Sequence, residues 1–231
     1  ITSLDGRIAL RDPASGEFGV PASLGNRRDW RLFQELAAQA DVLITSGRYF
    51  RQLAKGTAQA MLPLGNEPEY ADLHAWRRQQ GFATQPDVVV LSRSLDIPAA
   101  AIRQLAGRRL IALTAAGHDS RQRSLLQAQG VEVVELGSEQ VEGEALYGWL
   151  TSRGYRTAYM IAGPEVHATL LAAGRVGHLF LTTRHVLLGG SEFHTLLQGP
   201  LPQPAELELR ELYLDSSPGR EQSFAHYLLR S

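Results

Sequence analysis

Two short runs set hydroxyls beside a guanidinium: Thr45-Ser46-Gly47-Arg48 and Ser92-Arg93-Ser94. Each follows an apolar stretch, Val42-Leu43-Ile44 and Val88-Val89-Val90-Leu91, of the kind expected for a strand covered on both faces. Ligands of open α/β sheets collect at the carboxyl ends of strands, so both runs fall where a site is expected. Arginine offers a planar fork suited to phosphate, and hydroxyls serve its remaining acceptors. Thr45, Ser46, Arg48, Ser92 and Arg93 are therefore candidates to hold a phosphorylated ribose. A third candidate is Gly163-Pro164, ahead of an apolar helical stripe of Val166, Leu170, Leu171 and Ala173. A glycine admits a ligand to the backbone, Pro164 pre-sets the first helical turn, and free N–H groups there favour an anion. Glu165 opposes a phosphate, and on spacing alone a plain connection is the better reading of Gly-Pro. Asp5, in Asp5-Gly6, either caps a tight turn or presents a polar group at a strand end; residue type alone favours the turn.

The elements that must position these groups alternate between strand and helix. Ile1 to Ala9 reads as a strand, an Asp-Gly turn and a short return, and Ile1 suggests a few earlier native residues. Arg11 to Arg28 reads as a long loop, the length of a binding flap. A helix over Asp29 to Ala40 leads to the strand at Val42, and Tyr49 to Tyr70 is expected to be mostly irregular. Strands follow at Val88, Leu110 and Val131, with helices over Ser120 to Gln129 and Val141 to Arg153. The stretch from Tyr159 to Gly190 packs strand, glycine turn, helix and strand together, with Val186-Leu187-Leu188 continuing the apolar pattern. Leu207 to Leu214 and Phe224 to Leu229 form a terminal antiparallel hairpin. With 231 residues and no linker, the expectation is one domain over 1–231.

Composition excludes several chemistries. The net charge of -1 gives no footprint for nucleic acid or acidic membranes, and Arg27-Arg28 and Arg77-Arg78 read as solvated faces. Zero cysteines remove thiol nucleophiles and cysteine-ligated metals. The histidines, His74, His118, His167, His178, His185, His194 and His226, show no metal spacing. With no apolar run of spanning length and no signal-like start, the protein is expected in the cytoplasm.

The residues in order resemble one family, the pyrimidine reductase of riboflavin biosynthesis, within the dihydrofolate-reductase-like fold. The blocks are Thr2-Ser3-Leu4-Asp5-Gly6-Arg7-Ile8-Ala9, Ser15-Gly16-Glu17, Arg27-Arg28-Asp29, Ala38 through Gly47, Val88 through Ser92, Ala162-Gly163-Pro164-Glu165 through Val176, and Leu187 through Gly190. The resemblance implies a three-layer α/β/α fold with a mixed, mostly parallel sheet and a C-terminal hairpin. It also implies a homodimeric, NADPH-dependent reductase that converts the ribosyl group of a phosphorylated aminopyrimidine to ribityl. Thr2 would face NADPH, Ser92 its adenosine-phosphate side, and Gly163, Pro164, Glu165, Val166, His167, Ala168 and Thr169 would wrap its pyrophosphate. Arg48 and Arg93 as ligands of the 2′-phosphate follow from chemistry and position, not from the family pattern. Asp5 is the carboxylate available for a proton or polar role in hydride transfer, and Ser3, Ser23 and Ile161 are assigned to the substrate side.

The chain departs from the family where substrate is handled. Ile161 replaces an acidic residue before Ala-Gly-Pro, Tyr49 to Lys55 replace the usual continuation after the second strand, and His185 stands for a proline. Gly177-His178 takes the place of an acidic pair. The cysteine-free sequence holds no counterpart of the zinc deaminase domain that accompanies many members. The open alternatives are a reductase of another heterocycle or carbonyl, and a non-catalytic nucleotide-binding protein.

Overall fold

A computed structural model describes residues 1–58, 62, 64–105, 107–117 and 120–230; His118 lies outside them. The chain forms two compact units, Ile1–Arg31 with His167–Ser231, and Leu32–Val166. It opens with β1 (Thr2–Ser3), β2 (Ala9–Arg11) and β3 (Phe18–Gly19), then α1 (Arg27–Ala38). Asn26 starts α1 by accepting the Arg28 and Asp29 N–H groups on Oδ1, both at 3.0 Å. The expected loop from Arg11 to Arg28 thus contains a hairpin. Asp12 builds its turn, accepting the Ala14 N–H and the Ser15 hydroxyl while its own N–H donates to the Glu17 carbonyl.

The middle unit carries β4 (Val42–Ser46), α2 (Gly47–Ala54), a 3₁₀ turn at Pro68–Tyr70, α3 (Ala71–Gln79), β5 (Asp87–Leu91) and α4 (Ala99–Gln104). It continues through β6 (Leu110–Thr114), α5 (Ser120–Ala128), β7 (Glu132–Glu135), α6 (Gly143–Ser152), β8 (Ala158–Met160) and the start of α7 (Pro164–Ala172). Its five strands are all parallel, in the order β7-β6-β5-β4-β8. The apolar runs bury Leu43, Val88, Val90 and Ala112 in one core with Phe50, Leu53 and Leu126. β7, with Glu132 and Glu135, is an edge strand. One expectation is corrected: Tyr49 to Ala54, the first six residues of the region expected to be irregular, belong to helix α2, because Phe50 and Leu53 supply a buried face. The α4 helix was not legible, since Ala99-Ala100-Ala101 carries little pattern beyond one buried alanine.

After α7, stopped by Gly174 at φ 64°, come β9 (His178–Arg184), β10 (Phe193–His194), β11 (Leu207–Asp215) and β12 (Gln222–Leu229). They form the sheet β1-β9-β12-β11, in which only β1 and β9 run parallel, and the antiparallel sheet β10-β2-β3. The C-terminal hairpin is as expected. Val186 to Leu188 do not extend the strand: β9 ends at Arg184, and the Leu188 and Gly189 N–H groups donate to Asp5 instead of to a sheet neighbour.

The solvated reading of the arginine pairs is also corrected. Arg77 is only 1% exposed. Its Nη1 donates to the carbonyls of Ala38 at 2.7 Å and Ala40 at 2.8 Å, and its Nε to Ala83 at 2.9 Å, so it closes the end of α1. Arg28 is exposed along its stem, yet it pairs at 2.6 Å with the buried carboxylate of Asp215, which also takes the Gln222 amide at 3.0 Å. Removing the Arg77 guanidinium leaves several buried carbonyls without donors. Arg77→Leu should therefore lower unfolding free energy by about 3–5 kcal/mol in urea melts; a loss within experimental error would contradict the capping role.

Candidate functional site

The candidate residues of the middle unit share one sheet edge. Ser46 is in register with Leu91, Leu91 with Leu113, and Ile44 with Met160. The carboxyl ends of β6, β5, β4 and β8 therefore stand side by side, about 4.8 Å apart. β5, β6 and β7 lie successively on one side of β4, whereas β8 returns to its other side. The strand order reverses at β4, which is where open α/β sheets form a crevice. Two helices begin there from adjacent strands, α2 after β4 and α7 after β8. Each presents unpaired N–H groups to an anion.

At the α2 start, Ser46 has extended backbone and makes no side-chain cap. The next residue is glycine for a steric reason. A Cβ on Gly47 would lie 2.7 Å from the Ser92 Oγ and 3.3 Å from Nη1 of Arg51. Ser92 is 6% exposed, and its side chain lies against the Gly47 position. Its backbone is fixed by a 3.0 Å bond from its N–H to the Leu113 carbonyl. Arg51 donates from Nη1 to the Asp96 carbonyl at 3.3 Å. Arg48 and Arg93 are exposed beside them. Arg51 was missed in the sequence, although its place one helical turn after Gly47 puts both on one face. Thr45 is fully buried and in register with core residue Val90; its Oγ1 has no partner among the described residues.

At the α7 start, Gly163 and Glu165 are exposed, while Pro164 and Val166 are buried. A Cβ on Gly163 would meet no protein atom within 4 Å. Ile161 donates its N–H to the Ile44 carbonyl at 2.9 Å and packs its side chain on the core. It offers no polar atom beyond its backbone to a substrate.

The other candidates belong to the unit formed by the two chain ends. Along α7, Ala168 and Thr169 are half-buried, and His167 Nδ1 donates to the Leu196 carbonyl at 3.3 Å. Burial lowers the His167 pKa, so the ring is neutral at pH 7. Thr2 is buried in β1 and its hydroxyl donates to the Ser3 carbonyl at 3.1 Å. Ser23 is exposed on a turn closed by a bond from the Leu24 N–H to the Pro21 carbonyl. His74 and His194 are held by contacts within their own units, His74 to the Gly65 carbonyl and His194 against the Phe18 ring.

Asp5 is a heavily engaged carboxylate of this unit. It accepts the Ser3 hydroxyl at 2.5 Å, the Gly189 N–H at 2.9 Å and the Leu188 N–H at 3.2 Å, and it pairs with Arg7 at 2.5 Å. Arg7 in turn donates to the Gly190 carbonyl and stacks on Phe193. The Ser3 hydroxyl, then the two backbone donors and Arg7, outweigh desolvation and lower the Asp5 pKa to about 2. Asp5 is thus an ionised latch between the 3–7 turn and the 188–190 segment. An anion with this pKa holds no proton to give at neutral pH.

The sequence profile of the RibD C-terminal domain matches residues 1–217. The riboflavin biosynthesis protein RibD of Bacillus amyloliquefaciens is 28% identical over 116 residues, half of this chain but only 31% of that protein. A pyrimidine reductase-like protein from Corynebacterium diphtheriae superposes with a TM-score of 0.70 at 20% identity, covering 100% of this chain and 89% of the other. Acinetobacter baumannii RibD superposes with a TM-score of 0.66 at 16% identity, covering 99% and 56%. These superpositions establish the α/β fold expected from the resemblance, and the chain spans about a third of its curated relative and about half of the Acinetobacter protein.

The Asp5 latch has a pH signature. Its folded pKa lies below the ordinary value of about 3.9, so its stabilisation is present above that value and is lost as pH falls toward about 2. Asp5→Asn should melt below the wild type at pH 7, and the difference should close between about pH 4 and pH 2. A melting difference unchanged across that interval would contradict the latch.

Proposed function

The chain belongs to the RibD C-terminal domain family, and from that premise we propose that it is an NADPH-dependent reductase whose middle unit holds the cofactor's phosphates. The observation that carries this reading is the Ser92 hydroxyl, on a residue only 6% exposed, set against the first residue of α2 with Arg51 beside it. The donor set fits a phosphate monoester: the α2 N–H groups, the Ser92 hydroxyl and a guanidinium fork, with Arg48 and Arg93 adding positive charge at the rim. On the neighbouring strand end, Gly163 has no protein atom crowding its Cβ position and an ordinary φ, so neither packing nor backbone strain demands glycine there. Close approach of a pyrophosphate to the backbone supplies the reason, with Pro164 to Val166 presenting the α7 start. NADPH, when bound, supplies the hydride.

The protein's share of that chemistry is positioning and charge complementarity. Asp5 acts by holding the Ser3 hydroxyl and the Leu188 and Gly189 N–H groups in place, not by giving up a proton. Thr2 remains the residue that the family resemblance sets facing NADPH. The substrate is a small molecule. The 5-amino-6-(5-phosphoribosylamino)uracil named for the Thermotoga maritima relative is the first candidate. Ile161, apolar and packed on the core, favours a second reading, in which the same reductase chemistry acts on another heterocycle or a carbonyl compound.

Calorimetric titration with NADPH and NADH tests the assignment. Wild type should prefer NADPH, and Arg51→Ala should weaken NADPH by roughly tenfold to a hundredfold, the loss of one or two charged hydrogen bonds, while leaving NADH within about twofold. Equal weakening of both cofactors, or none, would remove Arg51 from the 2′-phosphate. Gly47→Ala should also weaken NADPH, because its Cβ displaces the Ser92 hydroxyl. Wild-type affinity in this variant would mean that the Ser92 position is not used.

A further inference from the structure

Two histidines that show no metal spacing along the chain meet across a sheet. β9 and β12 are antiparallel neighbours in which His226 is in register with Phe180 and Leu228 with His178. His178 and His226 are therefore diagonal neighbours on one face, within reach of each other. Nδ1 of His178 and Nε2 of His226 lie 2.9 Å apart. The rings of Phe180, His226 and His178 are nearly parallel. Phe180 stacks on His226 with 4.4 Å between centroids and 10° between planes, and His178 on His226 with 5.1 Å and 25°. Two aromatic neighbours thus hold the His226 ring with its Nε2 toward His178.

The third strand, β11, sets the charge beside the pair. Regular pairing onward from Leu209 with Tyr227 would put Arg210 against His226. A bulge between Leu209 and Glu211 instead takes up Arg210 as an extra residue, reverses the faces of the rest of β11 and brings Glu211 into register with His226. The Arg210 guanidinium pairs with Glu208 at 2.9 Å, and Arg230 approaches the same carboxylate at 3.5 Å. A carboxylate rather than a guanidinium therefore stands one strand, about 4.8 Å, from His226.

We propose that His178 and His226 chelate one divalent transition-metal ion of the nickel and copper class. The inference stands apart from the cofactor reading. Imidazole is a ligand for nickel, copper and zinc. Two bonds of about 2.0–2.1 Å that meet at a right angle place their nitrogens about 2.9 Å apart, and at a tetrahedral angle about 3.4 Å. The observed 2.9 Å is the bite of adjacent positions in a square-planar or octahedral ion, so nickel or copper needs only a tilt of the rings, whereas tetrahedral zinc needs them to part. In a neutral pair one of the two facing nitrogens carries a proton; on binding, that ring takes its other tautomer and both lone pairs face the ion. His178 is exposed and His226 half-buried, so the ion reaches them from solvent. Among the described residues no group of three His, Cys, Asp or Glu forms a cage, so water fills the remaining positions and the Glu211 charge acts across them. The bound ion joins β9 to β12 and stabilises the fold, because the unfolded chain does not hold the two rings together.

Calorimetric titration of the intact, untagged protein with nickel chloride at about pH 7.5 tests this. Wild type should bind one ion per chain in its tightest site. His178→Gln and His226→Gln should each weaken that site by roughly tenfold to a hundredfold, the loss of chelation, with unchanged far-ultraviolet circular dichroism. His185→Gln, at an exposed histidine outside the pair, should bind as wild type does. Paramagnetic broadening needs no variant and decides the matter should the substitutions not fold: substoichiometric copper sulfate should erase the His178 and His226 ring signals before those of the other histidines. No saturable binding, wild-type affinity in His226→Gln, an equal loss in His185→Gln, or broadening spread evenly over the histidines overturns the proposal.

Discussion

β4 is hydrogen bonded on both sides, to β5 and to β8, and the candidate cofactor site depends on that double pairing. Because all three strands are parallel, their carboxyl ends fall at one edge. Because β8 returns to the far side of β4, the helices that follow the two neighbours both start there. Two N–H-rich helix ends a strand spacing apart suit a ligand that carries two separate phosphate groups. Both faces of these strands are packed, Leu43, Val88 and Val90 on one and Val42, Ile44 and Val89 on the other, so slipping a strand by one residue would exchange side chains of different shape between two filled layers. The same slip would move Ser92 away from Gly47. Packing in the core and chemistry at the edge are consequently one constraint.

Charge in this protein serves two distinct purposes. Asp5, Arg77 and Asp215 are spent within the fold, where each joins segments distant in sequence through backbone groups or a partner side chain. Arg48 and Arg93 instead stand at the exposed sheet edge, and Arg51 sits between the two kinds, half-buried over the α2 start. A charge engaged by several neighbours is a poor proton donor or ligand. That is why the site assignment rests on the hydroxyl of Ser92 and the guanidinium of Arg51 more than on any carboxylate.

Much of this was legible in the sequence because the signals were local. Continuous apolar runs marked β4, β5 and β6, glycine and proline bounded α7, and alternation marked the terminal hairpin. Helix α2 was hidden by the glycine and the irregular stretch around it, and α4 by a lack of pattern. The burial of Arg77 could not be read, because its carbonyl partners on α1 lie about forty residues earlier. Arg51 shows the same limit in the candidate site: the hydroxyl-arginine runs pointed to the ends of β4 and β5, but which cation overlies Gly47 depends on helical phase, and α2 had not been foreseen. The β11 bulge likewise reverses the face that simple alternation assigns to Leu212 and Leu214.

The central claim is that the junction of β4, β5 and α2 receives a phosphate on the ribose 2′ position. Two-dimensional amide spectra of isotopically labelled protein, titrated with 2′,5′-ADP and separately with 5′-ADP, test it most directly. The account predicts that the Gly47, Arg48 and Ser92 amides shift with the 2′-phosphorylated compound and move much less with the other. Equal shifts with both compounds, or shifts that leave these three amides in place, would contradict it.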